Sequence, residues 1–248
     1  MLEGLYAAAA GMAAQQEQID GVSNDLANAS TPGYKHVRIG FRDLLYSSQG
    51  PAAGPTVLAG AGAAAAIVGR GQEEGSLQST GQPLDVAIAG PGYLEVKRPD
   101  GSLALTRDGS LRLDAGGHLT TAGGDLVQPP IAVPQGTTAS DLAIGADGTV
   151  RAGTRTLGRI ALVDVPAPDG LQPLGSNLFA VTAASGATRP LAAGVGSATL
   201  RQGMLEGSNV DVGDEMVQLI GAQRSYEMAS KAIQMQDQML SVADQIKR

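Results

Sequence analysis

The stretch Ser208–Arg248, SNVDVGDEMVQLIGAQRSYEMASKAIQMQDQMLSVADQIKR, decides how the rest of the chain is organised. Leu219, Tyr226, Ile233 and Leu240 recur every seven residues. Ala222, Ala229, Gln236 and Ala243 follow each of them by three. This is an a/d heptad seam with large side chains at one position and mostly alanine at the other. A 3.5-residue hydrophobic repeat on a 3.6-residue helix winds left-handed against a partner, and small seam residues let the two axes come close. Asp211 is placed to cap the helix start, and Asp214 and Glu215 in the first turn complement its dipole. Lys247 and Arg248 have the favourable sign at the other end.

The partner is found at the opposite end of the chain. Leu5, Met12, Ile19 and Leu26 are also seven apart, with Ala8, Gln15, Val22 and Ala29 three after each. Alanines at 7–10 and 13–14 favour helix, while Gly4, Gly11 and Gly21 each cost up to about 1 kcal/mol relative to Ala. Thr31-Pro32-Gly33 ends the helix, since the residue before a proline avoids the α region and glycine supplies a turn. Burying each large seam residue contributes roughly 1.5–3 kcal/mol. Met228, Met235 and Met239 lie off the seam, so one partner helix leaves apolar surface uncovered.

Between the helices the character changes twice. Residues 34–83 read as an extended arm and an Ala/Gly-rich linker, with 47–71 nearly free of charge. From residue 84 short β-prone runs follow one another: Leu84–Ile88, Tyr93–Lys97, Leu103–Thr106, Leu111–Leu113, His118–Thr121, Leu142–Ile144, Thr149–Arg151 and Leu157–Val165. Asp100-Gly101, Asp108-Gly109, Gly116-Gly117 and Asp147-Gly148 stand between them as hairpin turns, which need positive φ. The expected architecture is α+β. It has an N-terminal coiled-coil helix within 1–33, the arm and linker over 34–83, an all-β domain over 84–200 and a C-terminal coiled-coil helix within 201–248.

Composition excludes several kinds of function. A net charge of −7 and the lack of a Lys/Arg cluster argue against a nucleic-acid partner. No apolar run approaches the length of a membrane span. Cysteine is absent, which removes disulfides and thiolate metal sites. The N-terminus lacks the basic and apolar regions of a cleaved secretory signal, so export is expected by another route. The two histidines, His36 and His118, have no ligand spacing around them. Asp108 and Asp114 resemble a carboxylate pair, but Asp108 belongs to an Asp-Gly turn. Gly60-Ala61-Gly62-Ala63-Ala64-Ala65 touches the dinucleotide fingerprint without the strand and helix it needs. Asn28-Ala29-Ser30 is a glycosylation sequon at a helix end. No catalytic, cofactor or metal residue is expected, and no small-molecule substrate.

One motif carries a resemblance. Ser23 to Lys35, SNDLANASTPGYK, contains Asn24, Leu26, Ala27, Asn28, Thr31, Pro32, Gly33 and Tyr34. It resembles the N-terminal signature of the bacterial flagellar rod and hook proteins, the axial family of the basal body. Asp25 stands where the motif usually has Asn. Leu84–Ile88 with Gly90–Leu94, Thr106-Arg107-Asp108-Gly109-Ser110 and Gly117–Thr121 are similar to the family's central β block. Leu205–Val210 and Gln223-Arg224-Ser225-Tyr226-Glu227 are similar to its C-terminal signature. Within the family the chain is most similar to the distal rod members.

The resemblance implies a structural, non-enzymatic subunit that polymerises helically into the hollow drive shaft, with its terminal helices around an export channel and its β domain outside them. Its partners would be further copies of itself, proximal rod and hook or hook-junction subunits, the type III export apparatus and the bushing rings of the envelope. Its location would be the basal body, in the periplasm or cell-wall zone, reached without a cleaved signal. A hook or proximal-rod subunit of the same axial family is the nearest alternative. A secreted polysaccharide-binding β domain on a helical stalk is an alternative of another class, disfavoured by the absence of Trp.

Overall fold

Both predicted helices form in the computed structural model, which describes residues 2–44, 46–49, 57–191 and 198–246. Helix α1 spans Leu2–Ala27 and helix α2 spans Val212–Ile246. They are about 39 and 52 Å long at 1.5 Å per residue. Asp211 caps α2, its Oδ1 accepting the N–H groups of Gly213 (2.8 Å) and Asp214 (3.2 Å). The expected closing pair of α2, Lys247 and Arg248, lies outside the described residues. Helix α1 stops two residues short of the expected Ala29, because Asn28 folds into a turn. Its carbonyl accepts the N–H of Thr31 at 3.0 Å, and its Oδ1 accepts the Thr31 hydroxyl at 3.1 Å.

The chain divides into two units. The first holds residues 1–27, 37–68 and 211–248. Here α1 and α2 pack side by side and antiparallel. A side chain at Gly4, near the start of α1, would meet Gln236 near the end of α2 at 3.3 Å. Further along, Gln15 and Gln18 share a surface hollow with Gln218 and Ala222. Strands β1 (Val37–Asp43), β2 (Tyr46–Gln49), β3 (Val57–Gly60) and β4 (Ala63–Arg70) form two paired segments, β1 with β4 and β2 with β3. The β2–β3 register runs from Tyr46 opposite Gly60 to Gln49 opposite Val57. Strands therefore occupy much of the stretch whose composition suggests a linker; residues 50–56 of it lie outside the described residues. Gly62, at φ +99°, explains part of this. A Cβ there would come within 2.9 Å of the Ala10 methyl, so glycine lets this ribbon lie directly against α1.

The second unit holds residues 28–36 and 69–210. It is built of short strands: β5 (Leu77–Ser79), β6 (Val86–Ala89), β7 (Tyr93–Lys97), β8 (Leu103–Thr106), β9 (Leu111–Leu113), β10 (Leu119–Thr121), β11 (Leu126–Val127), β12 (Leu142–Ile144), β13 (Thr149–Ala152), β14 (Arg155–Arg159), β15 (Leu162–Asp164), β16 (Gln172–Gly175), β17 (Leu178–Ala180), β18 (Arg189–Leu191), β19 (Thr199–Gln202) and β20 (Met204–Glu206). Nine of them form an antiparallel sheet in the order β16-β17-β8-β7-β11-β10-β9, with β15 and β18 branching from β7. The remainder pair as β12-β13-β14, β19-β6 and β20-β5.

Alternation along β7 separates two cores. Leu94 and Val96 enter an aliphatic cluster with Val86, Ile88, Leu119 and Ile160, while Tyr93 joins Leu105, Val163, Val165 and Phe179 on the other side. The sparing use of aromatics is consistent with this: leucine, isoleucine and valine fill the thin layers.

Candidate assembly elements and a buried ion cluster

The seam residues fall into three groups by burial. Leu5, Met12, Ile19 and Leu26 of α1, and Leu219 and Ile233 of α2, are half-buried, with Ala222 buried between the latter two. Tyr226 is 37% exposed, the one described seam position left open. The side chains of Leu240 and Ala243 lie outside the described residues. The wider buried face of α1 also takes in Ala14, Val22 and Asp25. Both carboxylate oxygens of Asp25 accept the N–H of Val37 at 3.1 Å, fixing the first residue of β1 to the last turns of α1.

The N-terminal motif is divided between the units. Asn24, Leu26 and Ala27 belong to the helical unit, whereas Asn28, Thr31, Pro32, Gly33 and Tyr34 belong to the β unit. In the β unit they are held by main-chain geometry. The Pro32 carbonyl accepts Asn177 Nδ2 at 2.8 Å, and the Gly33 N–H donates to the Glu206 carbonyl at 2.8 Å. Gly33 adopts φ +69°, and a Cβ there would approach the Arg107–Asp108 peptide at 2.9 Å. Both constraints require glycine.

Just beyond Gly33 lies a buried ion cluster. Lys35, Arg107 and Glu206 have side chains 8%, 6% and 0% exposed. Lys35 Nζ donates to Glu206 Oε1 at 2.6 Å and to the Glu73 carbonyl at 2.6 Å. Arg107 donates to Glu206 Oε2 at 2.9 Å and to the Gly90 carbonyl at 2.7 Å. The Gly75 N–H donates to Oε1 at 3.0 Å and is the third donor to the carboxylate. Carboxylate and cations are thus each multiply hydrogen-bonded, the condition for burying charge without a large penalty.

Burial alone would raise the Glu206 carboxyl, but the Arg107 charge and the hydrogen bonds from Lys35 and Arg107 outweigh it and hold it below the usual range. Burial lowers the Lys35 ammonium, against the opposing pull of Glu206.

Aromatic rings extend the cluster. The Arg107 guanidinium lies 5.6 Å from the Tyr93 ring centroid, and Tyr93 meets Phe179 edge-on at 6.3 Å. Arg70 sits 5.5 Å from Phe179 and 5.6 Å from Tyr34, and donates to the Lys35 carbonyl at 2.9 Å. Cation–π contacts of this kind strengthen when desolvated. Desolvation raises the Tyr93 hydroxyl's pKa, opposed by Arg107.

Lys35, Arg107 and Glu206 stand in three separate sequence motifs that nothing local joins, and Arg70 stands in none of them.

The residues considered for chemistry are engaged in turns. Asp108 Oδ1 accepts the Ser110 N–H and hydroxyl at 3.0 and 2.7 Å, and Asp114 Oδ1 accepts the His118 N–H at 2.7 Å. His36 donates its backbone N–H to Asn209 at 2.8 Å. Among the described residues no cluster of three or more His, Asp or Glu is placed to hold a metal, and no helix is long and apolar enough to cross a membrane.

The fold thus combines paired helices from the two chain ends with a β unit clasped by buried charge. Comparison with known families supplies its class. Residues 5–35 match the family described as "Flagella basal body rod protein", residues 87–152 the "Flagellar hook protein FlgE/F/G D1 domain", and residues 201–246 the "Flagellar basal body rod FlgEFG protein C-terminal". The chain is 40% identical to the flagellar basal-body rod protein FlgG of Borreliella burgdorferi over 266 residues, covering 100% of both chains. It is 40% identical to FlgG of Caulobacter vibrioides, covering 99% of this chain and 100% of the relative. It is 32% identical to the rod protein FlgF of Escherichia coli, covering 90% of each. The chain belongs to the flagellar basal-body rod protein family and is most like its distal rod members.

Proposed function

We propose that this structural subunit works by helical polymerisation, forming a length of the hollow shaft that carries torque from motor to hook, with no catalytic step of its own. The observation that carries this reading is the antiparallel α1–α2 pair. Its seam draws on both chain ends, and it leaves large apolar side chains of α2 uncovered. In this reading the helices pack as a coiled coil with those of neighbouring copies, and the seam residues Leu5, Met12, Ile19, Leu26, Leu219, Tyr226, Ile233 and Leu240 are assembly residues. Open-ended packing of identical subunits generates a filament. The buried cluster at Glu206 keeps the β unit in one conformation under torsional load.

Neighbouring rod and hook subunits are the proposed axial partners, with the export apparatus delivering the chain across the inner membrane and envelope rings surrounding the finished shaft. The second reading is a hook or proximal-rod subunit of the same axial family, in line with the 32% identity to the rod protein FlgF. Electron microscopy of basal bodies from cells lacking this protein tests the assignment. Rods that end short are the expected result, and complete rods lacking only hooks would overturn it in favour of a hook role.

A further inference from the structure

Helix α2 carries a second, outward heptad. Met228, Met235 and Val242 are seven residues apart, with Ala232 and Met239 four after the first two, and the four large side chains are 52–64% exposed. Ala232, Met235, Met239 and Val242, with Gln236 and Gln238, line an open groove of about 570 Å³. The groove continues the α1–α2 contact, because Gln236 also faces Gly4.

At the same end α1 bears Tyr6, which is 72% exposed, with Ala9 and Ala13 also exposed one and two turns further along. No charged residue lies between Tyr6 and Ala13. The two surfaces do not meet within one chain. Gly4 faces α2, and Tyr6, two residues later, is turned about 200° around the helix away from it.

We propose that the outer groove of α2 receives the Tyr6–Ala9–Ala13 stripe of α1 from a second copy of this chain. This deepens the polymerisation reading and rests on it. A ring edge among methionines is a favourable contact, since thioethers are polarizable and conform to an aromatic knob. The alanines after it allow close helix approach. Because knob and groove are different patches, the contact is heterologous, the kind that propagates from copy to copy and builds a filament when its rotation does not close a ring.

The chain has no cysteine, so engineered pairs report contact without background. Full-length Tyr6→Cys and Met235→Cys are mixed under polymerising conditions and mildly oxidised, and the double variant is treated likewise. The expected outcome is a mixed dimer, a ladder of oligomers from the double variant, and at least a tenfold weaker product from either single variant alone. Strong dimerisation of Met235→Cys by itself would show a symmetric contact and overturn the proposal. Polymer that sediments normally but yields no mixed product would overturn this pairing and leave the rod reading standing. Failure of the unmodified chain to polymerise with itself or with basal-body rods would overturn both. As a check independent of disulfide geometry, Met239→Asp should lower the polymerised fraction at least tenfold with unchanged helical circular dichroism; unchanged polymerisation would overturn the proposal.

Discussion

Two cations and a main-chain N–H converge on Glu206, a carboxylate that water does not reach. Glu206→Gln keeps the shape and removes the charge, leaving Lys35 and Arg107 buried without a counterion. Breaking such a pair from one side costs about 3–5 kcal/mol. Urea unfolding of the full chain, followed in the β-sheet region of the far-ultraviolet spectrum, should show a loss of that size.

The pH dependence follows from the same contacts. The folded carboxyl titrates below its ordinary value of 4.5, so the unfolded chain binds the proton first as pH falls. The contribution of Glu206 is complete above about pH 4.5 and is lost as pH drops through the lower folded value. A stability profile of the wild type should fall across this window, and that of Glu206→Gln should lack this component. No local pattern could have announced the cluster, because Lys35 and Glu206 are 171 positions apart.

At the scale of elements, periodicity was the dependable signal. The heptads placed both helices, and half-burial of Leu219 and Ile233 follows the predicted stripe. Ile233→Asp puts a carboxylate on the face turned toward α1, at a cost of several kcal/mol unless the helices separate. The expected result is a lower unfolding midpoint in the helical circular dichroism signal, with Met228→Asp on the exposed face as a near-neutral control. The ribbon β1–β4 was less legible. Alanine and glycine strands have side chains too small to produce a period-two pattern, and their pairing depends on close approach to α1 at Gly62. Tyr226 shows the complementary limit, since its place in the repeat gave no indication that one neighbouring helix would leave it partly open.

For the molecule as a whole, the two units are threaded by one chain that enters the β unit at Asn28, leaves it at His36, re-enters at Gly69 and leaves again at Val210. Deleting residues 212–248 removes a helix of the first unit and no part of the second. The truncated chain should retain the strand signal of the β unit and fail to enter rods, measured by recovery in isolated basal bodies. Normal incorporation would contradict assembly through the helices.

By itself the sequence determined the elements whose causes are local: the two heptad helices, the hairpin turns at Asp100-Gly101, Gly116-Gly117 and Asp147-Gly148, and the motifs that mark the family. The hairpin expected at Asp108-Gly109 does not form: β8 pairs with β7 and β17 and β9 with β10, so that turn carries the chain between strands that are not neighbours. Only the tertiary structure decided what those motifs hold. Residues 32–35, 107 and 206 lie in three distant segments, and the energy that unites them is long-range: an ion pair and main-chain hydrogen bonds in a dry interior. Such a contact exists only after the chain has folded back on itself, so helical period, turn chemistry and composition carry no trace of it.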